Sequence, residues 1–244
     1  MTPVRLSVEA KEKAVVLFSG GLDSTTSLYA ALRDGKEPVC LSVHYGQLHE
    51  RELSSAKKIS ASLQLEHWII PISLPWGGSA LLRDSRGGVT PPLPKGRAEE
   101  EISKEIPVTY VPARNSIFLS LAASFAEAKG ADSIYFGANA LDYSGYPDCR
   151  PEFLEAFEEL IRRGTKAGVE GRKIRVVAPL LRLSKAEIVR LAADLKVPFE
   201  WTWSCYEGRN FPCGECDSCI LRAKGFREAG IEDPLVRPVP SGKL

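Results

Sequence analysis

The chain alternates short apolar runs with amphipathic stretches. Ala14-Val15-Val16-Leu17-Phe18, within a strand expected over Lys13–Phe18, is an unbroken apolar run of the kind found in strands buried on both faces. Ser24–Arg33 has helical spacing and ends at Gly35. Val39–His44 reads as a second strand. Glu50–Leu63 sets Leu53, Ala56, Ile59 and Leu63 along a helix, and His67–Ile72 is a third strand. The rhythm resumes with a short strand at Val108–Val111. A helix over Asn115–Lys129 then carries Ile117, Leu119, Leu121, Ala122, Phe125 and Ala126. Ser133–Gly137 is a strand, Pro151–Arg163 a helix with proline in its first turn, and Lys173–Ala178 a strand. Ser184-Lys185-Ala186-Glu187 is a capping box opening a helix over Lys185–Lys196. Strands alternating with helices predict parallel βαβ units, hence an α/β fold with a doubly wound, mainly parallel sheet.

Pro75–Pro107 interrupts this pattern with Gly77-Gly78, Gly87-Gly88, Pro91-Pro92 and the acidic run Glu99-Glu100-Glu101. A segment this long is either a lid that closes over a site or a plain insertion. The expected organisation is an α/β domain over residues 1–200, with the insertion at 75–107, and a cysteine-bearing segment over 201–244.

Between the first strand and the first helix lies Ser19-Gly20-Gly21-Leu22-Asp23-Ser24. Such a turn aims successive backbone N–H groups and a helix N-terminus at one point, which suits phosphate. The glycines let the backbone approach a ligand, and Ser19, Ser24 and Thr25 add hydroxyls. Asp23 would repel phosphate unless it holds a cation or caps the helix. The Gly-Lys-Ser/Thr ending of Walker-type loops is absent. Because the turn follows a strand, it falls where doubly wound sheets bind ligands.

Composition adds boundaries. The 244 residues suffice for a substantial core, and 44% hydrophobic with 26% charged residues is ordinary for a globular protein. A net charge of +1 favours a small-molecule substrate over nucleic acid. No stretch reaches the roughly 18 apolar residues of a membrane span, and Met1–Lys13 has no signal-peptide core, so the expected compartment is the cytoplasm. In that compartment six cysteines favour metal ligation over disulfides. Cys205, Cys213, Cys216 and Cys219 have spacing suited to a closed tetrahedral Zn²⁺ site of structural type, with Gly208 and Gly214 in the turns between them. An iron–sulfur cluster is the rival occupant.

Four further segments carry chemistry. His44-Tyr45-Gly46-Gln47-Leu48-His49 follows the second strand and is either part of the site or a surface loop. Val111-Pro112-Ala113-Arg114-Asn115 leads into a helix, with Arg114 either meeting an anion or lying on the surface. Lys185 opens its helix as a ligand or as a solvated lysine. The run from Asn139 to Phe153 gathers acids, aromatics and an arginine in a loop after a strand. Acids accept from the N–H edge of a guanine-like base, aromatics stack on it, and arginine takes a carboxylate.

The S-G-G-x-D-S turn resembles that of the PP-loop ATP pyrophosphatases, with their adenine nucleotide alpha hydrolase-like fold. Together with H-Y-G-Q-L-H, V-P-A-R-N, N-A-L-D-Y-S-G-Y-P-D-C-R-P-E-F, S-K-A-E-I and C-G-E-C-D-S-C, it resembles the 7-cyano-7-deazaguanine synthase family of the queuosine pathway, from Phe18 to Arg222. Leu22 and Ala113 stand where many members carry glutamine and glycine. The resemblance implies a ligase that activates 7-carboxy-7-deazaguanine with ATP. Ammonia gives an amide, and a second activation gives the nitrile.

It further implies ATP and Mg²⁺ at Phe18, Ser19, Gly20, Gly21, Leu22, Asp23, Ser24, Thr25, Thr26, Ser27 and Leu28. Asp23, Ser24, Arg114 and Lys185 would be catalytic, and Asp142, Tyr146, Asp148 and Arg150 would orient the base. A homodimer is implied, as is a separate or free source of ammonia, because no glutaminase pattern is visible. The alternatives are a PP-loop enzyme that modifies tRNA by thiolation or lysidine formation, a ligase stopping at the amide, and a non-catalytic zinc module.

Overall fold

The computed structural model describes residues 11–47, 50–82, 90–102, 106–140 and 146–236. Strand β1 (Lys13–Leu17) leads to α1 (Leu22–Arg33), β2 (Glu37–His44), α2 (Arg51–Ser62) and β3 (His67–Pro71). The insertion contributes the single turn α3 (Glu99–Ile102). Then come α4 (Arg114–Lys129), β4 (Ser133–Phe136), α5 (Pro151–Gly164), α6 (Lys166–Val169), β5 (Arg175–Val177), α7 (Lys185–Asp194) and α8 (Asp217–Ala229). No helix among the described residues is long and apolar enough to cross a membrane.

The five strands form one parallel sheet in the order β3-β2-β1-β4-β5. In β1, Val15 lies opposite Val39 of β2 and Ile134 of β4. Side chains alternate across a strand, and here both sides are covered. Val15 and Leu17 pack with Leu119 and Ala122 of α4 and with Leu154 and Phe157 of α5. Ala14, Val16 and Phe18 pack with Leu28 of α1 and with Ala56 and Ile59 of α2. Burial on both faces is the physical reason for the unbroken apolar run.

The chain winds outward from β1 to β3, then returns to the other side of β1 through β4 and β5. The loops after β1 and β4 therefore diverge at the carboxyl edge of the sheet, which opens a crevice there. Gly137, directly after β4, keeps the crevice floor tight: a Cβ at that position would lie 3.0 Å from the backbone of Asp23 and Ser24.

Val108–Val111 is a turn and not the expected strand. Pro107 and Pro112 bracket it and offer no N–H to a ladder. Val111 packs instead with Leu74 and Leu82, and Val108 accepts a 2.8 Å hydrogen bond from Ala80 N. The expected strand over Lys173–Ala178 shortens to β5. Helix α8 is absent from the sequence reading, which sees the cysteines there and a mid-segment glycine, Gly225, that lowers helix propensity. Gly225 is a packing requirement: a Cβ there would lie 2.3 Å from Lys185 Cγ on α7.

Of the two readings of the insertion, its described part behaves as a docked segment. Lys95 bridges Cys216 in antiparallel fashion, and Gly96 N donates to Glu215 O at 2.9 Å. Arg97 Nε donates to Asp217 at 3.0 Å, and Arg227 pairs with Glu99 at 2.8 Å. These contacts fasten residues 95–99 to the cysteine-bearing segment.

Candidate active site

At the end of β1, Phe18 N donates to Leu41 O at 2.9 Å, and the chain then turns into α1. Gly20 has φ of +86°, and a Cβ there would lie 2.3 Å from Glu52 O and 2.4 Å from Ala56 N. Only glycine lets this turn press against α2. Gly21 caps α1 without any side-chain cap hydrogen bond, so the first N–H groups of the helix face the crevice. Ser19 and Ser24 hydroxyls lie 3.1 Å apart, and Gly21 N donates to Ser19 Oγ at 3.2 Å.

Phe18, Ser19, Gly21, Leu22, Asp23 and Ser24 line the crevice. Thr25, Thr26, Ser27 and Leu28 do not; they are fully buried in α1. The Thr25 and Thr26 hydroxyls donate to Gly21 O at 2.7 Å and Leu22 O at 2.8 Å. Below the turn, Ser42 Oγ donates to Phe18 O and lies 2.7 Å from His67 Nε2, while Ser60 Oγ lies 2.9 Å from His67 Nδ1. This strap ties β1, β2, β3 and α2 together beneath the site. Burial holds the His67 pKa below its ordinary value, and the Lys57 charge adds to this.

Asp23 does not cap α1. Both its carboxylate oxygens accept from Lys185 Nζ at 2.9 Å. Lys185 enters from the first turn of α7, set by the Ser184–Glu187 capping box. It is buried, not solvated, and lies on the cavity wall.

The opposite wall is aromatic and cationic. The Arg114 guanidinium lies 5.9 Å from the Tyr45 ring and 5.8 Å from the Phe118 ring. Burial works against its charge, but the phenols of Tyr45 and Tyr146 more than offset this and hold its pKa above the ordinary value. Among the described residues no carboxylate lies within ion-pair distance of Arg114. Ala113, with φ of 52°, takes the left-handed conformation that turns the chain into α4, and Tyr110 OH accepts from its N–H at 3.0 Å.

Tyr146 lines the crevice, its OH 2.9 Å from Thr109 Oγ1. Asp148 is buried behind the wall, where its carboxylate accepts from Asn115 N at 3.1 Å and anchors the start of α4. Burial raises its pKa, against the Asn115 hydrogen bond and the Arg114 charge. Arg150 is exposed and does not line the crevice. Asp142 lies outside the described residues. Sequence reasoning misses Glu52, Phe118, Ser204, Tyr206 and Arg222, which also line the crevice. Glu52 looks like any acid in a helix first turn, and the last three sit among the cysteines, whose signal overshadows theirs.

The four cysteines converge. The Sγ atoms of Cys205, Cys213, Cys216 and Cys219 all lie within 4.8 Å of one another, and those of Cys213 and Cys219 are 3.9 Å apart. Tetrahedral thiolates at a Zn–S distance of ~2.3 Å would stand about 3.8 Å apart. Backbone N–H groups of Glu207 and Cys213 point at Cys205 Sγ at 3.4 and 3.3 Å, and that of Cys216 at Cys213 Sγ at 3.4 Å. Such donors favour thiolates, so the set fits a bound metal. Gly208 and Gly214 have φ of 56° and 76°, as the tight turns between ligands require.

The cysteine segment also touches the glycine turn. Trp203 N donates to Gly20 O at 3.0 Å, and Trp203 Nε1 donates to Cys205 O at 2.9 Å. Buried Arg222 holds this segment in place. It pairs with Asp233 at 2.6 Å and donates to Thr202 Oγ1 at 2.8 Å and Phe199 O at 3.3 Å.

The family model described as "Queuosine biosynthesis protein QueC" matches residues 13–230. The chain is 55% identical over 225 residues to a 7-cyano-7-deazaguanine synthase of Anaeromyxobacter sp. (strain Fw109-5), covering 91% of this chain and 95% of the relative. It is 54% identical over 226 residues to the 7-cyano-7-deazaguanine synthase of Trichodesmium erythraeum (strain IMS101), covering 92% and 100%. Among solved structures, a 4-thiouridine synthetase–RNA complex with bound ATP aligns at a TM-score of 0.49 and 20% identity, over 90% of this chain and 50% of its own.

Proposed function

This chain belongs to the QueC family of queuosine biosynthesis proteins, ATP-using ligases of the 7-cyano-7-deazaguanine synthase type, and on that premise we propose how its crevice runs the reaction. The substrate is 7-carboxy-7-deazaguanine. Its carboxylate attacks the α-phosphorus of ATP, pyrophosphate leaves, and an acyl-adenylate forms. Ammonia adds to the acyl carbon and AMP leaves, giving the amide. The amide oxygen attacks a second ATP in the same way, and loss of AMP and a proton gives the nitrile.

The observation that carries this reading is Arg114. Its cation lies beside the paired Tyr45 and Phe118 rings, lacks a carboxylate partner among the described residues, and shares one crevice with the glycine turn. A planar base bearing a carboxylate suits that wall, since aromatics take the ring and arginine takes the anion. In this role Arg114 holds the carboxylate toward the α-phosphorus and then offsets charge on the transferring phosphoryl group. The turn from Phe18 to Ser24 holds the pyrophosphate portion of ATP through backbone N–H groups and the Ser19 and Ser24 hydroxyls, while Thr25, Thr26, Ser27 and Leu28 act from behind as packing. Tyr146 contacts the base. Asp148 keeps the start of α4 in place, and Asp142 and Arg150 are kept as candidates for the outer edge of the base.

Asp23 fits a second cation. Lys185 occupies one side of its carboxylate, and about four lone-pair positions are available on such a group. Mg²⁺ there, entering with ATP, would neutralise phosphate charge. Lys185 orients Asp23 and adds its own positive charge beside the phosphates. Cys205, Cys213, Cys216 and Cys219 hold Zn²⁺ as a structural ion, with residues 201–244 as its segment and residues 1–200 as the nucleotide-binding domain.

Free ammonia supplies the nitrogen. Cys40 and Cys149, the described thiols outside the cluster, are buried, and burial pushes both up to about 12. Neither suits the nucleophile that a glutaminase needs. A cytoplasmic homodimer that acts without nucleic acid completes the reading.

The test is a product assay with the carboxy base, ammonium, ATP and Mg²⁺, read by mass spectrometry. The expected result is the nitrile, with two AMP formed per product and no requirement for tRNA. An amide end product, or ATP turnover that depends on tRNA, would overturn the reading.

A further inference from the structure

We propose that Glu52 is the proton acceptor of both nitrogen steps, a proposal that rests on the reaction given above. Each round must dispose of a proton at nitrogen. Ammonia that forms the C–N bond keeps an extra proton until a base removes it as the bond to AMP breaks. In the second round the imidate N–H must lose its proton as C≡N forms and AMP departs. In both cases the N–H electron pair stays on nitrogen, the C–O electron pair leaves with AMP, and the proton passes to the Glu52 carboxylate and then to water.

The geometry favours this residue. Glu52 stands in the first turn of α2, against which Gly20 presses. Its Oε1 lies 3.8 Å from the position a Cβ on Gly21 would occupy, so the carboxyl sits beside the glycine turn. It lines the same crevice as Asp23, Arg114 and Lys185. The other acids there are committed: Asp23 to Lys185, and Asp148, behind the wall, to Asn115. No side-chain hydrogen bond or ion pair engages the Glu52 carboxyl among the described residues.

The charged and titratable groups facing it are Asp23 from α1, Arg114 from α4 and Tyr45 from the loop after β2. Its chain neighbour Arg51 lies 5.4 Å over the Trp203 ring and donates to Asn210 at 2.8 Å. Burial pushes the Glu52 carboxyl up, Arg114 pulls it down and Asp23 pushes it up again, which leaves it at about 7. A group poised near the working pH is suited to take and release a proton in every round.

Adenylation needs no such base, and this separates Glu52 from a structural or metal-binding role. In Glu52→Gln, amide and nitrile formation should fall by about 10²–10⁴-fold, the usual contribution of general base catalysis. ATP–pyrophosphate exchange dependent on the carboxy base should fall by less than about tenfold. Hydroxylamine, largely unprotonated at neutral pH, should still trap the acyl-adenylate as the hydroxamate. Glu52→Asp, which keeps the carboxyl on a shorter stem, should recover part of the nitrogen steps. In the parent enzyme, the amide-forming rate per unit of free ammonia should rise with pH through about 7 and then level off. That inflection should vanish in Glu52→Gln.

Equal loss of exchange and amide formation would overturn the proposal and assign Glu52 to the phosphates or their Mg²⁺. Amide formation at the parent rate would overturn it as well. If the parent enzyme itself shows no exchange dependent on the carboxy base, the reaction above fails first and takes this proposal with it.

Discussion

Trp203 and Gly20 are joined by a 3.0 Å hydrogen bond from the tryptophan N–H to the glycine carbonyl. That bond crosses from the cysteine segment to the glycine turn, and the Trp203 indole is itself tied to Cys205 O at 2.9 Å. A cluster that loses its metal therefore releases the turn from one side. Chelation, or Cys216→Ser, should abolish the bound metal, lower Tm and weaken ATP binding by several-fold, since a net hydrogen bond is worth about 1 kcal/mol. Metal analysis, a thermal scan and ATP calorimetry together read this out. Unchanged ATP affinity in a metal-free, folded protein would show that the two sites are not coupled.

The close approach of Gly20 to α2 makes a sharper prediction. Gly20→Ala would set a methyl 2.3 Å from Glu52 O and 2.4 Å from Ala56 N, at a φ of +86°. Neither contact is a flexible side-chain end, so backbone must move. Overpacking of this kind costs about 1–3 kcal/mol, and strain at positive φ adds to it. Urea unfolding should show that loss, with ATP binding lost alongside because the turn shifts. Gly225→Ala offers a contrast. It meets Lys185 Cγ at 2.3 Å and Cβ at 3.0 Å, so α7 must shift against α8, but Gly225 sits inside a helix and carries no left-handed strain. Stability should fall less than in Gly20→Ala, while turnover should fall because the Lys185 ammonium moves off Asp23.

Acid should loosen the strap below the site. Burial holds His67 neutral, so its folded pKa lies below the ordinary value of about 6.5. Between those two values the unfolded chain binds the extra proton, so stability falls as pH drops through that window. Glu52 acts in the opposite sense. Its carboxyl is raised to about 7, so the stability from its neutral form is full below the ordinary carboxyl range and is lost as pH rises through 7. The parent protein sums both effects, and the difference between parent and His67→Gln isolates the first. Urea midpoints from about pH 5 to 7 should climb less steeply in His67→Gln than in the parent. Parallel curves would mean that His67 does not titrate in this window.

Much of this architecture is legible in the chain because burial on both faces leaves an unmistakable mark. Val15 and Val16 point to opposite sides of the sheet and both are fully buried, so the run carries no polar interruption. The Ser184 capping box and the Gly35 stop are local rules, and local rules survive in sequence. What escapes is set by distant partners. Val108–Val111 has strand-like residues but pairs with no strand among the described residues, and its flanking prolines withhold N–H groups from a ladder. Gly225 weakens a helix on propensity, yet it is demanded by Lys185 from another helix. Asp148 is polar and near the ligand edge, but Asn115 claims its carboxylate from behind the wall. Glu52 becomes visible only when α2 is folded against the glycine turn.

Arg114 and Arg150 separate two ways of holding the substrate's carboxylate. Both are arginines in motif segments, and the sequence reading sets Arg150 with the base and Arg114 with an anion. Arg114 lines the crevice beside Tyr45 and Phe118, whereas Arg150 is exposed at the start of α5 and lines no part of it. Losing a charged hydrogen bond costs about 1.5–3 kcal/mol, which is roughly 10- to 150-fold in binding. Arg114→Gln should raise the KM for the carboxy base by that order. It should also lower kcat, because the proposed mechanism has the same cation offset charge on the transferring phosphoryl group. Arg114→Lys should recover little, since a lysine offers neither the fork nor the stacking plane that Tyr45 and Phe118 accept. Arg150→Gln should raise KM by much less than Arg114→Gln. Steady-state kinetics on the three variants decide it: a larger KM effect at Arg150 than at Arg114 would move the carboxylate site out of the crevice wall.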